Sequence, residues 1–426
     1  ENNDYTIDYN AGEIIFTSLF PITSEMRINI EYQYSERNYT RFVTYAGASH
    51  ETEKWSIGSY LYSENDVKNQ PLQQTLSAEQ AQVLLNAGDN SDLMTAPSAY
   101  LDSYSENKIL YKKVLSSDGA EIFEQSNNPD DELYNVKFSL VGDKQGNYIL
   151  KDASAVGKIY EYISPLNGEK RGNYEPIIRL IAPTKIQIAT VMGKFNPSEK
   201  TNIDFELGLS NNDLNLFSSQ DDGDNQGLAG KINTKQRLFS KKWNVDFFAN
   251  YQFIQKEFRT IERLFAIEFD RDWNLTNPRG NQSLLVSGLA FQLPDKGNLT
   301  YQFENLNFSE SFSGNRHVVN AFFNLKNWSI QNNGSYLKSN GTLSNSEFIR
   351  NSTKVKYYWQ KNWIGTAVQL EDNQEKIKTT NFLSALSQRF TEYGAFVGRG
   401  DSTKVYAELG FRNRINDSLQ NGILQR

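Results

Sequence analysis

The chain of 426 residues contains no cysteine, which excludes structural disulfides, thiolate chemistry and cysteine-based zinc sites. Its only histidines are His50 and His317. Neither has an HxxxH or HxH partner, so a histidine metal centre or a catalytic triad has no basis. No run of about 18 apolar residues occurs, and no helix is therefore expected to span a bilayer. Lys and Arg are nowhere dense and the formal net charge is -7, so the basic face that phosphate neutralisation demands is missing and nucleic acid is not expected as a partner. Glycine-rich phosphate loops, P-loops and G-x-S-x-G elbows are also absent.

What remains is an unusual pairing of aromatic and polar residues. The chain has 26 Phe and 23 Tyr against 3 Met, and a mean hydropathy of -0.62. Transmembrane β-barrels combine these traits, because their strands alternate apolar-out and polar-in and their interfacial girdles use Tyr, Phe and Trp. Secreted glycan-binding sandwiches share the composition.

Period-two alternation carries most of the fold reading. YTIDYNAGEIIFT followed by RINIEYQYS predicts a small β module over residues 1–36. RFVTYAGASH and WSIGSYLYSE, parted by a charged turn, predict a first barrel hairpin over 37–64, each arm close to the roughly 9–11 residues of a tilted spanning strand. Over 65–183 the texture changes to an inserted α+β region. There LSAEQAQVLLNAG predicts a helix with Ser77 as N-cap and Gly88 at its end, among short β pieces such as YNVKFSLVG, GNYIL and KIYEYIS. From 184 to 426 alternation is sustained, as in NIDFELGLS, where Ile203, Phe205, Leu207 and Leu209 oppose Asp204, Glu206 and Ser210. VDFFANYQF repeats the pattern, with Phe248 as its exception. The polar faces mix charge with Gly, Ser, Asn and Tyr, which suits a barrel lumen better than the outside of a sandwich. The fold expected is a mainly β antiparallel transmembrane barrel. The final NDSLQNGILQR reads as loop after a strand, so the chain is expected to be incomplete at that end.

Five stretches, NDVKNQPLQ (65–73), NAGD (86–89), GNYEPI (172–177), SNNDLNLFSSQDDGDNQG (210–227) and FRTIERL with EFDRDWN (258–274), together resemble a large, poorly characterised outer-membrane β-barrel family of Bacteroidota. The opening motif is also similar to β modules of the type 9 secretion translocon. The resemblance implies an outer-membrane location and supplies no catalytic residues.

Candidate sites are few. Asp221, Asp222, Asp224 and Asn225 offer hard oxygen ligands for calcium, but lack the EF-hand spacing and its terminal Glu, and a polar interstrand turn explains them as well. EFDRDWN reads as a strand with Glu268, Asp270 and Asp272 on one face. These carboxylates are expected to pair with Arg259 and Arg263 in a lumen network in preference to acid/base work on a glycoside. Trp55, Trp243, Trp328, Trp359 and Trp363 fall near predicted strand ends, where a membrane girdle places amphipathic rings; a sugar platform is the alternative. RGD at 399–401 reads as a hairpin turn needing positive φ at Gly400. The expected function is non-enzymatic and needs no cofactor: an outer-membrane scaffold or accessory subunit of an envelope complex for barrel assembly or protein export, with lipid and other envelope proteins as partners. A porin-like or export channel and a secreted glycan-binding protein are the alternatives.

Overall fold

The computed structural model describes residues 5–8, 13–16, 39–72, 76–116, 119–153, 157–400, 405–420 and 422–425. At the N-terminus β1 (Tyr5–Asp8) pairs antiparallel with β2 (Glu13–Phe16), Tyr5 facing Phe16. The third strand expected at RINIEYQYS lies outside the described residues. The hairpin β3 (Tyr39–Glu51) and β4 (Trp55–Pro71) follows.

The inserted region contains α1 (Ala78–Ala87), β5 (Thr95–Pro97), β6 (Tyr100–Leu101), β7 (Tyr111–Leu115), β8 (Glu121–Gln125), β9 (Tyr134–Asn135) and β10 (Ser139–Leu140). It continues with β11 (Tyr148–Ala153), β12 (Lys158–Tyr162), β13 (Tyr174–Glu175) and β14 (Ile177–Arg179). A capping box starts α1: Ser77 accepts from the Gln80 N–H and the Gln80 side chain accepts from the Ser77 N–H. Gly88 ends it at φ +58°, where a Cβ is disfavoured. The helix buries Leu84 and Ala87 against Met94, Ala96, Leu180 and Ala182. Two four-stranded sheets, β6-β9-β7-β8 and β10-β13-β11-β12, are joined by an aromatic cluster in which Phe138 stands 5.1 Å from Tyr111, 4.8 Å from Tyr148 and 4.6 Å from Tyr160.

The rest of the chain is β15 (Lys185–Ser198), β16 (Thr201–Asp213), β17 (Gln226–Ser240), β18 (Asn244–Ile254), α2 (Phe269–Trp273), β19 (Gln282–Leu293), β20 (Gly297–Phe308) and β21 (Phe312–Leu325). Then come β22 (Trp328–Gly341), β23 (Ser344–Trp359), β24 (Asn362–Ile377), β25 (Gln388–Gly400), β26 (Tyr406–Gln420) and β27 (Ile423–Gln425). With β3 and β4 these strands form one antiparallel sheet of fifteen, in which sequence neighbours are spatial neighbours and β15 pairs with β4 across the insertion, Lys185 opposite Asn65. The C-terminal expectation is corrected: NDSLQ is the end of β26 and ILQ is β27, so these residues are strand.

The two ends of the sheet differ. At one end the connections are tight, such as 199–200 between β15 and β16 or 326–327 between β21 and β22. At the other lie the insertion and the connections 214–225, 255–281 and 378–387. These are called here the turn end and the loop end.

The faces also differ: large apolar side chains are exposed on one, small and charged ones are buried on the other. Phe205, Leu207 and Leu209 on β16 are exposed, whereas Gly208 and Ser210 on the opposite face are buried. On VDFFANYQF, Phe247 and Tyr251 are exposed and Asp246 is buried. Register carries the apolar band from strand to strand: Val191 faces Leu207, Ile232 faces Tyr251, Tyr251 faces Leu285, and Leu289 faces Tyr301. The other face holds most of the sheet's buried charge, including Asp246, Glu304 and Glu371. Phe248 sits on this polar face because Gly288 on β19 leaves room for its ring.

Candidate functional site

β18 and β19 are neighbours in the sheet, yet residues 255–281 connect them. A tight turn would suffice, so this length has another use. The segment folds over the polar face. Phe258 lies against Gly208 and Gly227, where any Cβ would meet it, and the Arg259 N–H donates to Ser210 Oγ at 3.0 Å. Further on, α2 presses Trp273, 1% exposed, onto Leu306, Phe308, Phe312, Leu337 and Phe348. These residues span β20 to β23, and Arg271 reaches Glu371 on β24. Four strand spacings amount to about 19 Å of sheet, whereas a five-residue helix is only about 7.5 Å long. The sheet must therefore curve around α2, with its polar face concave.

Polar contacts fix the helix there. The Arg271 guanidinium donates to both Glu371 oxygens at 2.8 and 2.7 Å and to Glu268 at 3.1 Å. Asp272 is paired with Arg316 at 3.1 Å and with Arg350. Arg316 also meets Glu304 at 3.3 Å. The amides of Asn274 and Asn373 each donate to the other, at 2.7 and 3.0 Å. Beside this lattice opens a cavity of ≈ 890 Å³ lined by Arg271, Asp272, Arg316, Arg350, Glu371 and Arg414 among others.

Two sequence expectations are corrected here. EFDRDWN is not a strand but the short helix α2, closed by Asn274 in the left-handed region at φ 51°. The physical reason lies in spacing by four: Phe265 stacks on Phe269 at 4.1 Å and Phe269 meets Trp273 at 6.4 Å, a helical pattern that the alternating acids obscured. Glu268, Asp270 and Asp272 are consequently not on one strand face, and Arg259 and Arg263 are not their partners. The observed cations are Arg271, Arg316 and Arg350, supplied by α2 itself and by two distant strands. Arg263 donates to the Ile267 carbonyl at 3.3 Å.

The tryptophans divide. Trp55, Trp243, Trp328 and Trp359 are exposed at the turn end. Trp363, expected with them, is instead buried: it is 5% exposed and donates its indole N–H to Glu408 at 2.7 Å. In the β23–β24 hairpin Trp363 faces Tyr358 while Trp359 faces Asn362, so Trp359 and Trp363 point to opposite faces. Trp363 lies over Gly398 and stacks on Tyr406 at 5.0 Å.

The calcium reading is not supported by the arrangement. Asp222–Asp224 form one 3₁₀ turn, and Asn225 donates to Asp222 at 3.1 Å. Asp221 accepts instead from the Asp89 N–H of the insertion at 2.7 Å. Among the described residues, no three His, Asp or Glu side chains are placed to hold a metal ion. These residues join the insertion to the sheet. In the same connection Asn215, fully buried, donates to the carbonyls of Leu84 and Gly88 at 2.7 and 2.6 Å and so caps α1. Burial, then the charges of Asp221, Asp213 and Asp224, push the Asp89 carboxyl up to about 6, against a donor from the Leu214 backbone. His317 meets the Tyr301 hydroxyl at 2.9 Å and His50 lies 5.2 Å from Trp55, each in an aromatic contact.

A domain of unknown function, DUF8818, matches residues 1–36. No curated protein matches the chain. The match stops short of the large sheet, which begins at Tyr39.

Proposed function

We propose that the chain is an outer-membrane β-barrel protein acting, without catalysis, as a scaffold or accessory subunit of an envelope complex for barrel assembly or protein export. The observation that carries this reading is the inverted polarity of the sheet: apolar side chains exposed on the convex face, charge gathered on the concave one. In water such a surface invites association, whereas against lipid the same band is what a spanning barrel presents. β3 runs from loop end to turn end and β26 the opposite way, so the length of β26 beyond Ser418–Gln420, where β27 pairs with it, is oriented to pair antiparallel with β3. The resemblance to Bacteroidota barrels agrees with this placement. Short turns characteristically face the periplasm and longer loops the exterior, which puts the insertion outside, where its two small sheets form the docking body.

A solute channel is the second reading, favoured by the polar cavity of ≈ 890 Å³ on the concave face. The test is purification of tagged protein from separated outer membranes in mild detergent, with electrophoretic mobility compared before and after boiling. A heat-modifiable band and a stoichiometric envelope partner are expected. A heat-modifiable protein that elutes alone and conducts ions in planar bilayers favours the channel. Recovery as a soluble protein without detergent refutes both.

A further inference from the structure

The concave face of β22 to β26 carries a continuous track. The larger cavity shares Ser352 and Gln369 with a second hollow of ≈ 360 Å³ lined by Lys354, Glu392, Phe396 and Arg412. Toward the turn end the same face continues to Tyr358, Trp363 and Tyr406, with Lys356 5.8 Å from the Trp363 ring. On β23 the inward positions Arg350, Ser352, Lys354, Lys356 and Tyr358 extend over about 26 Å.

The chemistry of this track selects a class of guest. Most of its cations are already answered: Arg271 by Glu371, Arg316 by Glu304, Arg350 by Asp272, Arg389 by Asp372 and Asp417, Arg412 by Glu392 and Lys356 by Glu408, while Arg414 lies over the Phe390 ring at 3.8 Å and Lys354 over the Phe396 ring at 4.9 Å. An anion would have to displace a resident carboxylate, and a cation a resident guanidinium, each leaving a charge unpaired. An apolar guest would strand polar groups. In the larger cavity the uncommitted groups are neutral: the side chains of Asn333, Gln369, Ser335 and Ser352 line it and make no hydrogen bond among the described residues. The exposed rings of the track stand at its turn end, Tyr358 at 39% and Tyr406 at 59% exposure. A ring bearing adjacent hydroxyls supplies both donors and acceptors to amides, and its C–H face packs on aromatic rings.

We propose that this track binds a neutral oligosaccharide, lying along β23 from Arg350 to Tyr358. The proposal rests on the reading of the concave face as a barrel lumen. The test is calorimetric titration of the detergent-purified protein with four probes: the hexasaccharides of α-1,4-glucose, β-1,4-glucose, β-1,4-mannose and β-1,4-N-acetylglucosamine. At least one is expected to bind with a stoichiometry of one. The variant carrying Asn333→Ala and Gln369→Ala is expected to weaken it about tenfold, the loss of two modest hydrogen bonds, with an unchanged melting temperature. Lys231→Ala, on the far side of the concave face where Lys231 pairs with Glu206, is expected to leave binding intact. No binding of any probe at about 10 mM, well above a millimolar Kd, overturns the proposal, as does binding that the double variant does not weaken. Heat-modifiable mobility, scored on the same preparation, separates failure of the sugar site from failure of the barrel reading.

Discussion

Leu207 offers a direct measurement of which solvent bathes the convex face. It lies midway along the outward positions of β16, is 50% exposed, and faces Val191 on one side and Gly230 on the other. If that face meets water, Leu207→Arg alters an exposed residue with no polar partner to lose, and its effect stays within about 0.5 kcal/mol. If it meets the middle of a bilayer, the same change costs about 2–4 kcal/mol, or roughly a 30- to 1,000-fold fall in the folded-to-unfolded ratio. The control is Gln252→Arg, on the concave face beside the Lys231–Glu206 pair, where water solvates the new cation and the expected change is within about 1 kcal/mol. The assay is reversible urea unfolding in phospholipid vesicles, read by tryptophan fluorescence and by heat-modifiable mobility. A large loss for Leu207→Arg with little for Gln252→Arg is expected. Equal, small effects of the two changes refute the lipid-facing assignment, and a larger loss for Gln252→Arg reverses it.

Two further outcomes follow from the contacts of the loop end and the internal helix. Asp89 holds a proton up to about pH 6 in the folded state while an unfolded Asp releases it near 3.9; folding therefore binds a proton in that window, and the docking of α1 weakens as pH rises from about 4 to about 6. Asp89→Asn is expected to flatten this dependence and to protect α1 better at pH 7.5, read by amide hydrogen exchange; an unchanged pH profile refutes the acidic interface. Trp273→Ala removes the fully buried ring beneath α2 and is expected to cost about 3–5 kcal/mol of local stability, with faster proteolysis inside 255–281 while the sheet stays resistant; protection equal to the parent refutes the account of how the segment is held.

Strand alternation was legible because the face a side chain takes in a strand depends only on parity, a local property. The cap of α1 was legible for the same reason, since Ser77, Gln80 and Gly88 act within one or two turns. EFDRDWN misled because five residues are too few for a helical period to stand out, and its conformation is set by what Trp273 finds on β20 to β23. Trp363 misled because nearness to a turn says nothing of face until register is counted across the hairpin. The partners of Asp272 were illegible in principle: Arg316 and Arg350 lie 44 and 78 residues away by numbering (316 − 272 and 350 − 272), and only the curvature of the sheet brings them to one side chain.

The amino-acid sequence by itself determined that the protein is made of long antiparallel strands and which residues share each face, because these follow from the two-residue period; it placed the start of the insertion at residue 65, whereas β4 runs on to Pro71. Tertiary structure decided that the apolar face is the convex, exposed one, that residues 255–281 fold back across the concave face, and that arginines from separate strands converge on α2. Those facts depend on the curvature of the sheet, a sum over many strand pairs that no single stretch of the chain encodes.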